Sequence, residues 1–252
     1  MNCPKAVMFD LDETLAPSFQ PPAASMIEKL ARLLDRFPTA IISGAGFERI
    51  QQDFLATLDH SKHVDGLFIF ANSGSQAFAW HGGWNQEYNF LLTDADRSRI
   101  KAVISAAAIE LPEIREAQVY GDQIADREAQ IAFTVVGLDA PAEYKASWDP
   151  GAAKRRVIRD YLLNALPEYD IRTGGASTID ITKKDINKAY GVRWLAERLH
   201  CAPSDMLYVG DALYDGGNDA VVIPTGIQTR SVTGPSETEI VIDELIATCA
   251  AL

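Results

Sequence analysis

What this chain lacks narrows its function first. It has no surplus of basic residues: 23 Lys and Arg stand against 35 Asp and Glu, a formal net charge of −12. Nucleic acid and anionic membrane surfaces are therefore excluded as expected partners, because no cationic excess exists to neutralise their phosphates. A phosphate-bearing ligand would have to be drawn in locally, by a metal and a few placed cations. No stretch approaches the length of a membrane span, and the N-terminus has no long apolar segment. Cysteine is scarce. Cys3, Cys201 and Cys249 lie far apart without metal-ligand spacing, which predicts separate thiols in a reducing, cytoplasmic setting. His60, His63, His81 and His200 form no zinc or nucleophile pattern. No internal repeat or low-complexity tract is present.

In bulk the chain is ordinary: 47% of its 252 residues are apolar and 23% charged, the composition of a soluble globular protein. Its length suffices for one large or two modest domains with a sizeable core. Up to about Asn72 the pattern alternates strand, helix, strand, helix, strand. Ser25 to Phe37 carries Met26, Ile27, Leu30, Leu33, Leu34 and Phe37 at helical spacing. Phe47, Ile50, Phe54 and Leu58 share one face of a second helix. Leu67 to Phe70 is an uninterrupted apolar strand. Such strands alternating with helices predict a parallel sheet covered on both faces.

The middle differs. Thr93 to Asp96 is a capping box opening a helix with Ile100, Val103, Ile104 and Ala107. Ala117–Ile124 and Gln130–Gly137 are strand-like, and the polar turn between them predicts a hairpin. Pro150 is placed for the start of a helix with Val157, Ile158, Tyr161 and Leu162. Tyr169–Arg172 and Thr178–Ile181 close the segment. Residues 88–184 thus form an α+β insert, a cap, in a discontinuous core of residues 1–87 and 185–252. From Asn187 helix and strand alternate again, and Ser236 to Glu239 is a capping box for the last helix.

Chemistry gathers at strand ends. Asp10 and Asp12 follow the apolar run Ala6-Val7-Met8, two carboxylates two residues apart with Thr14 behind them. Like charges this close need a cation or a proton between them, and Mg²⁺ takes carboxylates together with substrate phosphate. Ser43 and Gly44 end a second apolar run, and Gly210-Asp211 ends a third. In open α/β sheets ligands bind beyond the carboxyl ends of strands, so the three motifs converge on one site. Lys188 opens a helical segment, and Asp215, Asn218 and Asp219 lie in a Gly-rich loop. The tryptophans Trp80, Trp84, Trp148 and Trp194 fit packing roles.

The order Asp-x-Asp-x-Thr, Ser, Lys, Gly-Asp resembles the haloacid dehalogenase superfamily of phosphoryl-transfer enzymes. The Gly-Gly-Asn-Asp stretch at 216–219 resembles its phosphomannomutase branch and the bacterial sugar-phosphate hydrolases related to it. The resemblance implies a Rossmann-like core with an α/β cap, and Mg²⁺ held by Asp10, the Asp12 backbone carbonyl and Asp211; so close to Asp211, the loop residues Asp215, Asn218 and above all Asp219 are expected to support or ligate that metal. It implies Asp10 as nucleophile and Asp12 as general acid–base. Thr14, Ser43, Gly44 and Lys188 would bind phosphate. In the cap, Arg127, Lys145, Gly175, Thr178 and Asp180 would bind a sugar phosphate. Interconversion of mannose 6-phosphate and mannose 1-phosphate is the implied activity, with plain sugar-phosphate hydrolysis at the same site as the alternative. A homodimer through the cap is implied as well. Two positions depart from the pattern: Glu13 stands where the family usually has Gly, and Leu138 falls where eukaryotic phosphomannomutases place an Arg.

Overall fold

The computed structural model describes residues 3–18, 20–58 and 64–249, so His60 and His63 lie outside the described residues. Two compact units emerge: residues 1–88 with 188–252, and residues 89–187. The first segment carries β1 (Ala6–Asp10), α1 (Ala24–Leu34), β2 (Thr39–Ile42), α2 (Phe47–Asp53), β3 (Leu67–Ala71), β4 (Gln76–Trp80) and β5 (Trp84–Asn89). The inserted unit carries α3 (Asp94–Glu110), α4 (Pro112–Arg115), β6 (Ile124–Asp126), β7 (Ile131–Thr134), α5 (Ala142–Trp148), α6 (Ala153–Ala165), β8 (Tyr169–Gly174) and β9 (Thr178–Lys183). The returning segment adds α7 (Lys188–Arg198), β10 (Met206–Gly210), β11 (Gln228–Ser231) and α8 (Pro235–Thr248).

The first unit is built on a seven-stranded sheet, order β11-β10-β1-β2-β3-β4-β5. Pairing is parallel from β11 through β3, and β4 runs antiparallel to β3. The continuous apolar runs have this consequence: β1, β2, β3 and β10 are buried at every position, as strands covered on both faces must be. On one face Val7, Phe9 and Ile41 pack with Met26, Leu30 and Leu33 of α1, Ile50 of α2 and Ile242 and Leu245 of α8. On the other, Met8, Ile42 and Phe70 pack with Val192 and Leu195 of α7. The expected mixed α/β class with a mostly parallel sheet is what the chain adopts.

The inserted unit has its own antiparallel sheet, order β6-β7-β9-β8. Its core joins Ile131, Phe133, Ile179 and Ile181 to Ile100 and Ile104 of α3 and Ile158 and Leu162 of α6. The capping box of α3 is present, with the Asp96 N–H donating to Thr93 Oγ1 at 3.1 Å and the Thr93 N–H to Asp96 Oδ2 at 2.9 Å.

Several expectations are corrected. The helix through Leu58 breaks at Phe54, and Leu55–Thr57 is a 3₁₀ turn. Ala117–Gln123 is irregular, with Gly121 at φ +68° interrupting the run, so that β6 spans only Ile124–Asp126. The helix α5 was not expected. The next helix starts at Ala153 rather than at Pro150, and Asp149 caps it: its two carboxylate oxygens accept from the N–H groups of Lys154 and Arg155. The last helix has Gly234 at its N-cap and Pro235 at its first position, so Ser236 already lies inside it. Cys3 and Cys249 are not separate thiols. They form a disulfide with Cα atoms 5.8 Å apart across 246 positions, leaving Cys201 free. Spacing along the chain carries no information about such a pairing.

Candidate active site

The site in the first unit lies beyond the carboxyl ends of β1, β2 and β10. Asp10 is the last residue of β1 and 5% exposed. Lys188, at the first turn of α7, donates to Asp10 Oδ1 at 2.5 Å and to Asp219 Oδ1 at 2.7 Å. Asp219 is fully buried. Its Oδ1 also accepts from the Tyr208 hydroxyl at 2.5 Å, and its Oδ2 from the Ala212 N–H at 3.1 Å. Two glycines admit this arrangement. A Cβ on Gly210 would stand 2.4 Å from Asp219 Oδ2, and one on Gly217 would stand 2.0 Å from the Ala212 carbonyl. The acidic Gly-rich loop is thus required by packing as well as by charge.

Asp10, Asp211 and Asp219 bring carboxylate oxygens within 4.8 Å of one another. Burial pushes the Asp10 carboxyl well above its ordinary value; Lys188 pulls it down, and Asp219 and Asp211 push it further up. Burial and then the Asp219 charge raise Asp211 to about 6. Burial opposes the Lys188 ammonium, but Asp10 and Asp219 outweigh that and hold its pKa above the usual value. One buried ammonium thus faces three carboxylates. That deficit of positive charge, presented by hard oxygen donors, fits a divalent cation of the Mg²⁺ type.

The other expected residues are placed as follows. Thr14 is buried; its Oγ1 accepts from the Asp211 N–H at 3.1 Å and donates to Asp211 Oδ1 at 3.4 Å. Ser43 is buried, and its Oγ accepts from the Ala45 N–H at 3.0 Å across Gly44. Asp12 lies in the turn after β1, where Arg49 Nη2 donates to its Oδ1 at 2.7 Å. Glu13, in the same turn, has φ +59°. This is the left-handed region, which a Gly adopts without the strain a Cβ brings. Asp215 is exposed and outside the carboxylate cluster.

In the inserted unit, cross-strand register groups some expected residues and separates others. Thr178 pairs with Thr134 and Asp180 with Ala132, while the alternate residues Ile179 and Ile181 enter the core. Thr134 and Thr178 hydroxyls are 3.0 Å apart. Gly175 belongs to the β8–β9 turn, held by Arg155, whose guanidinium donates to the carbonyls of Gly174 and Gly175. Arg127 donates to Gln130 Oε1 at 2.8 Å in the β6–β7 turn. Lys145 is buried on α5 and donates to the Leu138 carbonyl at 2.7 Å.

Arg49, Tyr208 and Arg155 were not singled out from the sequence. Tyr208 reads as one more core residue of an apolar strand. Arg49 and Arg155 read as solvated helix positions, since charge on a helix usually faces water.

Comparison with known proteins agrees with the motifs. A family described as haloacid dehalogenase-like hydrolase matches residues 145–219. A phosphomannomutase of Schizosaccharomyces pombe is 23% identical over 243 residues, covering 92% of this chain and 90% of that protein. A haloacid dehalogenase-like hydrolase from Bacteroides thetaiotaomicron has a TM-score of 0.62 at 14% identity, covering 96% of this chain and 99% of the other. An IMP-bound IMP-nucleotidase of Plasmodium falciparum has a TM-score of 0.70 at 16% identity, covering 97% of this chain and 68% of the other.

Proposed function

With a haloacid dehalogenase-like phosphotransferase or hydrolase as the premise, we propose that this chain moves a phosphoryl group of a hexose phosphate through an aspartyl phosphate on Asp10. The observation that carries the reading is the buried Asp10 carboxylate anchored by Lys188, with Asp211 and Asp219 at its side. Such a carboxylate is oriented by a fixed cation and shielded from water, as a nucleophile toward phosphorus requires. Its oxygen forms a bond to phosphorus while the bond from phosphorus to the sugar oxygen breaks. Asp12 delivers its proton to the departing oxygen. An incoming hydroxyl then attacks phosphorus, Asp12 takes that hydroxyl's proton, and Asp10 is released. Lys188, Thr14, Ser43 and the Gly44 backbone would orient the phosphoryl oxygens. Asp10, Asp211, Asp219 and the Asp12 carbonyl would hold Mg²⁺, which supplies charge neutralisation at those oxygens when bound.

Interconversion of mannose 6-phosphate and mannose 1-phosphate is the proposed reaction, supported by likeness to phosphomannomutases over nine-tenths of both chains. The inserted unit's Arg127, Lys145, Gly175, Thr178 and Asp180 would hold the sugar and its remote phosphate. Hydrolysis is the second reading, favoured by Leu138, whose side chain offers no donor to a remote phosphate. The test is a hexose phosphate panel scored for isomerisation and phosphate release with wild type and Asp10→Asn. Wild-type turnover with none in Asp10→Asn is expected; equal turnover in both rejects the mechanism.

No helix of the described residues is long and apolar enough to cross a membrane. We place the chain in the cytoplasm, acting on a soluble metabolite, where the Cys3–Cys249 bond would be open to reduction. Thiol labelling of protein taken from intact cells tests that placement. A homodimer through the inserted unit is proposed from the resemblance, and light scattering checks it.

A further inference from the structure

Asp12 is not alone in the turn after β1. Arg49 grips it in a fork: Nη2 to Oδ1 at 2.7 Å and Nη1 to Oδ2 at 3.4 Å. The third donor, Nε, reaches Asp53 Oδ2 at 3.3 Å, one helical turn further along α2. Both partners of the fork are half-buried, with side-chain exposures of 27% for Arg49 and 29% for Asp12. The helix that carries Arg49 is itself fixed. Ile50 is fully buried, and Phe47 stacks on Phe78 of β4 with ring centroids 3.8 Å apart.

We infer that Arg49 is a positioning residue for Asp12, setting the place and plane of the carboxyl group that moves the proton. This rests on the phosphoryl-transfer reading above. The geometry of the fork fixes the carboxyl plane: two N–H groups on one rigid guanidinium reach the two oxygens of Asp12. A Lys ammonium would hold Asp12 at one point and leave its plane unset.

The test uses p-nitrophenyl phosphate, whose leaving group needs no proton, so that formation and breakdown of the aspartyl phosphate separate. In Arg49→Gln a rapid burst of about one nitrophenolate per site should persist while steady turnover falls about ten- to a hundredfold, the scale of a misplaced catalytic group. KM should fall in parallel, leaving kcat/KM nearly unchanged, because only the breakdown step slows. Asp12→Ala should give the same signature, and adding Arg49→Gln to it should change nothing, because residues acting through one another are not additive. Arg49→Lys, which keeps the charge and guards against misfolding, should fall between. A lost burst, a raised KM at unchanged turnover, or additive effects in the double variant overturns the inference alone. A wild type that neither turns over phosphate esters nor labels at Asp10 overturns the phosphoryl-transfer reading, and this inference with it.

Discussion

The two units hold buried charge in opposite ways. In the first, three carboxylates crowd one ammonium, and two of those carboxyls, Asp10 and Asp211, are driven up in pKa by burial and by the Asp219 charge. In the inserted unit, Arg155 and Asp149 form a closed account. Arg155 Nε meets Asp149 Oδ2 at 3.1 Å, and its other donors reach the carbonyls of Asp149, Gly174 and Gly175. Asp149 spends its remaining capacity on the N–H groups that open α6. A closed network of this kind rigidifies a turn. An unbalanced one leaves an electrostatic demand for a ligand to meet. The contrast separates a site built for chemistry from a pair built for shape.

The largest effects should come from opening each network. Lys188→Met leaves Asp10 and Asp219 buried without their cation, which is expected to cost about 3–5 kcal/mol and to remove turnover. Arg155→Met should cost a similar amount, but the folded fraction should still label at Asp10 with acetyl phosphate. Denaturant melts read the stabilities and mass spectrometry the labelling. Full turnover in the Lys188 variant, or no labelling in the folded Arg155 variant, breaks the contrast.

Next comes the covalent link, which belongs to the first unit alone. Opening Cys3–Cys249 with Cys3→Ser should cost about 2–5 kcal/mol, the usual range for a native disulfide. Hydrogen exchange should speed up in residues 3–18 and 235–249 and stay unchanged in residues 89–187. Equal loosening of both units would refute the assignment of the clasp to one of them.

Acid should act on the units with opposite sign. Asp211 rises from 3.8 to about 6, so between those values the folded chain binds more protons than the unfolded one. Its contribution to stability is fully present below 3.8 and is lost as pH rises through 6, by up to about 3 kcal/mol in chelator. Asp96 in the inserted unit goes the other way. The Tyr169 hydroxyl and the Thr93 N–H lower it, so its contribution is present above its ordinary value and lost as pH falls below it. Melting the chelated protein from pH 4 to 6, with Asp211→Asn expected to lessen the slope, reads the first effect. Exchange within α3 reads the second. A first unit that gains stability over that rise reverses the sign and rejects the unbalanced cluster.

Legibility followed the same divide. The parallel sheet and the convergence of Asp10, Ser43 and Asp211 were readable because buried parallel strands are continuous apolar runs and ligands sit at their ends. Tyr208 and Arg49 were not. A hydroxyl inside an apolar run carries no pattern, and an Arg on a helix looks the same whether it meets water or Asp12. In the inserted unit, the α3 capping box was readable because both halves of its reciprocal bond lie within four residues. The start of α6 was misread because Asp149 caps from outside the helix, and Ala117–Gln123 because its apolar residues alternate while Gly121 turns the chain. The disulfide joins the two ends of the chain, and no local signal announces that.

The smallest expected effect is the one that bears on isomerisation against hydrolysis. A mutase must retain a bisphosphate while it reverses orientation, so cations must hold the non-reacting phosphate. Leu138 is partly exposed at 37%, and its side chain offers no donor. Its carbonyl takes one N–H of the Lys145 ammonium at 2.7 Å, and Lys145 keeps its charge, but as a point rather than a fork. Arg127 remains, with Nη1 on Gln130. One missing charge-assisted hydrogen bond is worth about 1.5–3 kcal/mol, or on the order of ten- to a hundredfold faster escape of an intermediate. Isomerisation should therefore be accompanied by phosphate release and should need added hexose 1,6-bisphosphate. Leu138→Arg should cut the ratio of release to isomerisation by about tenfold or more without altering Asp10 labelling. Assays that follow both products on mannose and glucose phosphates decide it. Release with no isomerisation in either form favours hydrolysis, and isomerisation with no release in the wild type refutes the role given to Leu138.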